Sequence, residues 1–302
     1  MRMRLALSLA LVTGLFSGAC NLVKFTADTT ADVLEVAAPG LNQESDPQFA
    51  REAAPGQLKT VEGFYLASPG NRKIIKVLAQ GYCEYTFGFL EDDIQELEMN
   101  NKPDEAAPIA KRATGFYLRC MNYGLKLLGS SWDEALRGDL AAFEKKVNNA
   151  DGDDVEGMFF TALGLASAIN LNRDNIDLVA YLPKARMMFE RIVKLNEKYY
   201  NGGAHMALGM LLTSQGDAIG GNSVEGKKHF ERAIEITGGK YLMPKVLYAL
   251  SYGVVTSNQK FFHDTLVEVL NTSPAVWPEQ RLANELAHIR ARRYLKHEKE
   301  WF

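Results

Sequence analysis

The residue types that could support acid–base, nucleophilic or metal chemistry occur in this 302-residue chain without the spacing that such chemistry needs. The sequence has no CxxC pair, no G-x-S-x-G nucleophile elbow and no two histidines four residues apart. The histidines are His205, His229, His263, His288 and His297. We therefore predict no catalytic residue, no metal ligand and no cofactor, and we do not expect an enzyme.

One acidic cluster has the residue types for general acid–base catalysis. Residues 91–93 read Glu-Asp-Asp, and Glu96 and Glu98 follow in the same helical stretch. The cluster comes shortly before the turn at Pro103, and its spacing does not distinguish it from the charged outer side of a helix. We interpret it as a solvated face.

The segment Gly221–Lys228 nearly matches the phosphate-binding P-loop pattern. Lys228 stands where that pattern needs a serine or threonine to hold magnesium, and the segment follows a helix and a loop instead of a strand. Asn222 or Ser223 is better explained as the cap of a helix. The prediction for this segment is a helix start, with no nucleotide site.

The N-terminus is typical of an export signal. A short positive region precedes an apolar stretch over residues 5–16, which is too short to span a bilayer, and small residues lead to Cys20. The pattern resembles the bacterial lipobox, although Ser17 occupies a position where leucine is commoner. We predict a signal peptide over residues 1–19 and lipidation of Cys20. The alternative is an ordinary signal peptide that leaves Cys20 as a free thiol.

A lipid anchor on Cys20 would hold the protein at a membrane, since each buried methylene of an acyl chain contributes about 0.8 kcal/mol. Asn21 follows the cysteine. By resemblance to the sorting rule of such lipoproteins, the absence of aspartate there favours the outer membrane, with the protein facing the periplasm. Residues 20–45 are then the expected lipidated tether and N-terminal helix, and residues 46–302 the folded domain.

Export places the other two cysteines, Cys83 and Cys120, in an oxidising compartment. They occupy two helical stretches, at about residues 71–99 and 106–129, and antiparallel folding about residue 102 would bring them to the same level. We predict a disulfide, which needs Cα atoms within about 7 Å of each other. The alternative is two buried thiols that act as small hydrophobic residues.

The composition permits a sizeable core and argues against two classes of protein. Hydrophobic residues make up 47% and charged residues 24%. The mean hydropathy of −0.17 leaves no room for several membrane spans. The net charge of −3 becomes −5 once the two arginines of residues 1–19 are removed. We predict no nucleic-acid partner, because binding phosphates needs a basic face.

Helical periodicity dominates the chain after the N-terminal region, and alternating β-branched runs are absent. Two motifs recur in turn along the sequence. One begins at Ala162, Ala207 and Ala249, with offsets of 45 and 42, and the other at Phe143, Phe189 and Phe230, with offsets of 46 and 41. Interleaved series of similar period indicate a repeated helical hairpin. We predict an all-α, TPR-like repeat array of the α-solenoid type that forms a single domain.

Two features indicate how these helices pack. Gly164 and Gly209 each cost about 1 kcal/mol relative to alanine inside a helix, so we expect a neighbouring helix to approach each one closely. The closing helix, at about Pro278–Lys299, has an apolar face with Leu282 and Leu286. Its arginines, which we expect to face water, are Arg281, Arg290, Arg292 and Arg293.

An ordered series of segments resembles the TatT (T-component) lipoproteins associated with TRAP transporters. These segments are residues 182–191, 200–205, 219–222, 229–233, 238–241 and 281–284. Residues 46–92 match the N-terminal helices of that family in outline. The resemblance covers nearly all of the chain after Cys20 and is most specific from about residue 155 onward.

The resemblance implies properties that composition does not. Members of this family are periplasm-facing lipoproteins with TPR-like helical repeats, they assemble as homotrimers, and each protomer carries a hydrophobic pore. They associate with the periplasmic solute-binding protein of a TRAP system, a secondary transporter driven by an ion gradient. We therefore expect a scaffold that docks that protein and helps to deliver a small, partly hydrophobic organic ligand.

A pore between repeats would be lined by apolar and aromatic side chains. The candidates are Phe159, Phe160, Met206, Met210, Tyr248 and Tyr252. The alternative for each is ordinary core packing at helical spacing. A rival function is a generic TPR-type lipoprotein that scaffolds envelope assembly by binding extended peptides.

Overall fold

The computed structural model describes residues 22–213 and 221–302, and within them the chain is helical and contains no strand. The predicted all-α class is therefore confirmed. The predicted signal peptide, residues 1–19, and the predicted lipidation site, Cys20, lie outside the described residues. No helix in the described part of the chain is long and apolar enough to cross a membrane.

The described residues include sixteen α-helices. They are α1 (22–37), α2 (Pro39–Asn42), α3 (Pro47–Ala67), α4 (Arg72–Tyr85), α5 (Glu91–Met99), α6 (Pro103–Leu128), α7 (Ser130–Arg137), α8 (Leu140–Asn148), α9 (Val155–Asn170), α10 (Ile176–Val179), α11 (Leu182–Asn196), α12 (Tyr199–Thr213), α13 (Ser223–Ile236), α14 (Met243–Tyr248), α15 (Gln259–Asn271) and α16 (Arg281–Lys296). Two π-helical segments, Thr86–Leu90 and Ala249–Gly253, join α4 to α5 and follow α14.

Side-chain caps start several of these helices, among them the one predicted at Asn222. Asp46, Asn71 and Asn222 each accept hydrogen bonds from backbone amides of the first turn. The near-match to a P-loop is thus the start of α13, with Asn222 as its cap. The turn before Gly203 is a left-handed kink at the start of α12, where Gly202 has a φ of 77°.

The predicted hairpin about residue 102 forms between α4–α5 and α6. Arg72, at the start of α4, donates to the Leu127 carbonyl at the end of α6, at 2.6 Å. Farther along, Cys83 and Cys120 face each other with their Cα atoms 5.5 Å apart, and the structure joins their sulfur atoms. The two helices therefore run antiparallel with the cysteines at one level.

Glycines allow α6 and α9 to approach backbone to backbone. A Cβ atom on Gly124 of α6 would lie 2.5 Å from the Thr161 amide nitrogen, and one on Gly164 of α9 would lie 2.5 Å from the Tyr117 carbonyl oxygen. Gly209 of α12 lies against another helix in the same way, because its Cβ would meet the Phe230 ring at 2.8 Å. The prediction of close approach at Gly164 and Gly209 agrees with these distances. Whether the repeated hairpins are of the TPR type stays a prediction.

The last long helix packs back against the first part of the array. The Tyr294 hydroxyl of α16 donates to Gln95 Oε1 of α5 at 2.6 Å, across 199 positions of the chain. Arg290 Nε donates to Asp92 Oδ1 at 3.2 Å, and Arg293 also donates to Asp92. These contacts close the helices around a central space.

Two expectations about charged residues were wrong. Arg290 is fully buried, since it is held by Asp92 and the Phe87 carbonyl and lies over the Phe87 ring at 4.4 Å. The Arg293 side chain, which pairs with Asp92, is only 9% exposed and does not face water either. Glu91 and Asp92 are also buried, at 8% and 6% exposure, and do not form a solvated face. The physical reason is that α16 covers this part of α5 and supplies the partners of Asp92, whereas Tyr117 of α6 donates to Glu91.

Candidate functional site

A cavity of about 860 Å³ lies in the centre of the closed array. Helices α2, α3, α4, α5, α9, α12, α14 and α16 all contribute to its wall. A volume of this size is typical of small-molecule sites. Its apolar lining includes Leu58, Val77, Phe159, Leu163, Met206, Met210, Leu247, Leu250 and Leu286.

Several apolar side chains are only partly buried although they lie deep in the fold. Leu163 and Ala166 of α9 and Met206 and Ala207 of α12 show this pattern, and all four line the cavity. In each helix the neighbouring positions on the opposite face are fully buried. The repeated helices thus turn one apolar face to the core and another to the cavity.

Three of the six predicted pore residues lie on this wall: Phe159, Met206 and Met210. The Phe159 ring is almost fully buried beneath the cavity and contacts the ring of Tyr200, with centroids 4.8 Å apart. Met206 and Met210 are one turn apart on α12 and project from the same face. The structure therefore brings these three candidates together.

The other three predicted pore residues, Phe160, Tyr248 and Tyr252, are not among the residues that line the cavity. Phe160 is fully buried, with its ring edge against Phe159 at 5.4 Å. Tyr248 stacks on Phe230 at 5.1 Å, and Tyr252 packs against Phe261 at 5.5 Å. They take part in helix packing, which was the alternative considered for them.

A polar track crosses one wall of the cavity on α4 and α5. It consists of Gln80, Glu84, Glu91 and Gln95, all of which line the cavity. The spacing is four residues within each helix and seven across the π-helical segment between them. A π-helical turn shifts the register of a helix and is frequent at functional sites. The four residues border the cavity on both sides of this turn.

Tyrosines from three other helices donate hydrogen bonds to the track. Tyr200 of α12 donates to Glu84, Tyr117 of α6 donates to Glu91 at 2.5 Å, and Tyr294 of α16 donates to Gln95 at 2.6 Å. Each side chain of the track except Gln80 is therefore held by a phenol that belongs to a different element. Gln80 donates its own amide to Glu84 at 2.9 Å.

Burial changes the acidity of the groups around this track. It raises the pKa of Glu84, against hydrogen bonds from Tyr200, Gln80 and Asn42 that lower the pKa. It also raises the pKa of Glu91, against the Tyr117 hydrogen bond and the charge of Arg290. Glu84 is partly accessible and borders the cavity. The cavity thus holds an acidic group in otherwise low-dielectric surroundings.

This track was not predicted from the sequence, and the acidic cluster at residues 91–93 was expected to be solvated. The spacing of Gln80, Glu84, Glu91 and Gln95 is typical of one face of a helix. Polar residues at such spacing usually face solvent, so the pattern did not indicate a buried track. No group of three or more His, Cys, Asp or Glu side chains that could hold a metal ion occurs in residues 22–213 and 221–302.

Comparisons with known proteins identify the family of this chain. A comparison with curated proteins finds no match. The family model described as TRAP transporter T-component matches residues 43–302, which includes every helix from α3 to the end of the chain. The resemblance seen in the sequence is therefore confirmed, and the chain belongs to the TRAP transporter T-component family.

Proposed function

We propose that this protein is a periplasm-facing lipoprotein that docks the solute-binding protein of a TRAP transporter and holds a small, partly hydrophobic ligand in its central cavity. Family membership ties the chain to a TRAP system. The observation that carries the ligand role is the cavity of about 860 Å³ with a mainly apolar wall. Such a wall binds an apolar ligand by removing its surface from water.

The arrangement of the cavity supports delivery of a ligand. Its wall includes α2 and the start of α16 as well as the middle of α9 and α12, so that it extends through several layers of helices. Phe159, Met206 and Met210 supply polarisable surface that adapts to different ligand shapes. In this proposal the cavity is the pore. Of the six pore residues predicted from the sequence, only these three line it.

Self-association as a homotrimer is part of the proposal, and α1 supports it. Leu22, Phe25, Val33 and Val36 on its outer face are each at least 64% exposed. The inner face of the same helix is fixed to the domain, since Ala31 is fully buried. Exposed apolar patches of this kind mark interaction surfaces.

The proposal places the protein in the cell envelope, attached through a lipid on Cys20, with the outer membrane as its favoured site. The supporting signal is the N-terminal sequence pattern. The role proposed is binding alone, without catalysis.

A pull-down with the tagged chain in the cell's own periplasmic extract tests the docking role. Mass spectrometry should identify a TRAP-type solute-binding protein at near-equal stoichiometry. Recovery of envelope-assembly factors or peptidoglycan enzymes, without any solute-binding protein, would instead support the rival function of a generic envelope scaffold.

A further inference from the structure

The polar track contains a carboxyl group whose charge is not balanced by the protein. Among the described residues, no lysine, arginine or histidine forms an ion pair with Glu84. Glu91 differs, because it lies in the field of Arg290, and Asp92 is paired with both Arg290 and Arg293. Of these three acidic groups, Glu84 is therefore the one left without a countercharge.

The groups around Glu84 are hydrogen-bond donors without charge. The Gln80 amide and the Tyr200 hydroxyl both donate to Oε1, and the Asn42 side-chain amide also donates to the carboxyl group. A carboxylate offers about four acceptor positions. Three donors leave room for one more, and the geometry favours a donor from the cavity side.

The cations that line the cavity are used elsewhere. Lys76, two turns before Glu84, pairs with Glu35 and Glu156. Arg173 is exposed and donates to Asn170. A cationic ligand group at Glu84 would supply the missing charge in a low-dielectric site, whereas an anionic group would be repelled by Glu84 and Glu91 on the same wall.

We propose that Glu84 is the polar subsite of the cavity and that it selects an amphiphilic ligand whose polar end is a hydrogen-bond-donating cation of the alkylammonium class. The apolar chain of the ligand lies along the wall formed by α9 and α12, and the ammonium group takes the remaining acceptor position of Glu84. This inference rests on the proposed ligand role of the cavity.

Three probes of equal chain length separate the contribution of the polar end to binding affinity from that of the apolar chain. They are n-decylamine, n-decanol and n-decanoate, titrated at neutral pH into the mature chain carrying Cys20→Ser and followed by calorimetry. The amine is protonated under these conditions. We expect the amine to bind about tenfold more tightly than the alcohol, as a charge-assisted hydrogen bond implies, and the carboxylate to bind most weakly.

Variants of Glu84 assign this preference to one side chain. Glu84→Gln should bind the amine no better than the alcohol, while its affinity for the alcohol stays within about twofold of the wild type. Glu84→Asp keeps the charge and should retain a preference for the amine. Glu96→Gln is the matched control, because Glu96 lies on α5 with a side chain that is 62% exposed, and it should leave all three affinities unchanged.

The outcomes separate this inference from the proposed function. Equal binding of amine and alcohol by the wild type, or an amine preference that survives Glu84→Gln, would overturn the subsite while the cavity remains a ligand site. Failure of all three probes to bind would overturn both. Binding of decanol by Glu84→Gln shows that the variant is folded, so that loss of the amine preference then supports the subsite.

Discussion

At the scale of single residues, Asp92 connects the two ends of the helical array. It accepts hydrogen bonds from Arg290 and Arg293, and all three side chains are at least nine-tenths buried. Burying such a group costs desolvation free energy, which only its partners offset. The stability of the fold around buried Asp92 therefore depends on the charges of Arg293 and Arg290, although both lie far from Asp92 along the chain.

Asp92→Asn should lower the free energy of unfolding by about 3 kcal/mol, since it leaves Arg290 buried without its ion-pair partner. The neighbouring pair offers a matched control. Asp93 binds Arg51 with side chains that are 29% and 32% exposed, so Asp93→Asn should cost under about 1 kcal/mol. Urea denaturation measures both values. Equal losses in the two variants would contradict a special role for Asp92.

The effect of Asp92 should also depend on pH. Burial alone would raise the pKa of Asp92, but the hydrogen bond from Arg293 and the charges of Arg290 and Arg293 lower it below the ordinary value of 3.8. Because the folded-state pKa lies below the ordinary value, the stabilisation is complete above pH 3.8 and is lost as the pH falls through the folded-state pKa. The stability difference between wild type and Asp92→Asn should therefore be widest at neutral pH and narrow below pH 3.8. A stability difference between the two proteins that stays constant in acid would contradict this account.

Residue-scale features were only partly predictable from sequence. The helix cap at Asn222 follows from local spacing, because the cap and the amides it binds are within three residues. The burial of Arg290 depends on Asp92, which is 198 positions away, and no local pattern contains that information. The same holds for the hydrogen bond between Tyr200 and Glu84.

At the scale of elements, glycines control how closely α6 and α9 pack. Gly124→Ala should destabilise the protein by about 1–3 kcal/mol, because its new Cβ would lie 2.5 Å from the backbone nitrogen of Thr161. Gly115→Ala on the same helix is the control, since nothing lies within 4 Å of its Cβ, and it should stabilise by up to about 1 kcal/mol. Thermal unfolding compares the two. A stabilising Gly124→Ala would show that the helices are less tightly packed than described.

The disulfide between α4 and α6 is a second element-scale prediction. In the chain-entropy model, a bond across 37 positions stabilises a protein by about 4 kcal/mol. The double variant Cys83→Ala/Cys120→Ala should lose roughly this amount. Thiol titration of the unfolded, unreduced Cys20→Ser protein should find no free cysteine. Two free thiols would favour the alternative of buried, unbonded side chains.

The elements themselves were well predicted, and their irregularities were not. Antiparallel folding about residue 102 follows from two long periodic stretches with a turn between them, and it places Cys83 opposite Cys120 as expected. Periodicity alone does not distinguish the π-helical segment Thr86–Leu90 from α-helix, so this segment was not predicted.

At the scale of the whole molecule, closure of the array creates the cavity. An open solenoid would expose the face of α9 and α12 that carries Leu163 and Met206. Contact of α16 with α5 instead encloses this face, so that apolar side chains line an internal space. The repeat pattern predicted stacked hairpins but did not predict that the two ends would meet.

The outer face of α1 should govern self-association. Phe25→Asp with Val36→Asp should convert the proposed trimer to monomers, because charges would replace apolar side chains that are 66% and 82% exposed. Ile176→Asp is the control, since Ile176 is equally exposed on α10. Light scattering after size-exclusion chromatography measures the mass. A trimer that survives the α1 substitutions would place its interface elsewhere.

The central claim is that the cavity binds an apolar ligand, and blocking it gives the most direct test. Fluorescence titration with N-phenyl-1-naphthylamine compares the wild type with Ala207→Trp, which fills the cavity from α12, and with Ala141→Trp, an exposed control on α8. We predict that the wild type and Ala141→Trp bind the probe equally and that Ala207→Trp binds it at least about tenfold more weakly. Equal binding by all three proteins would contradict the claim.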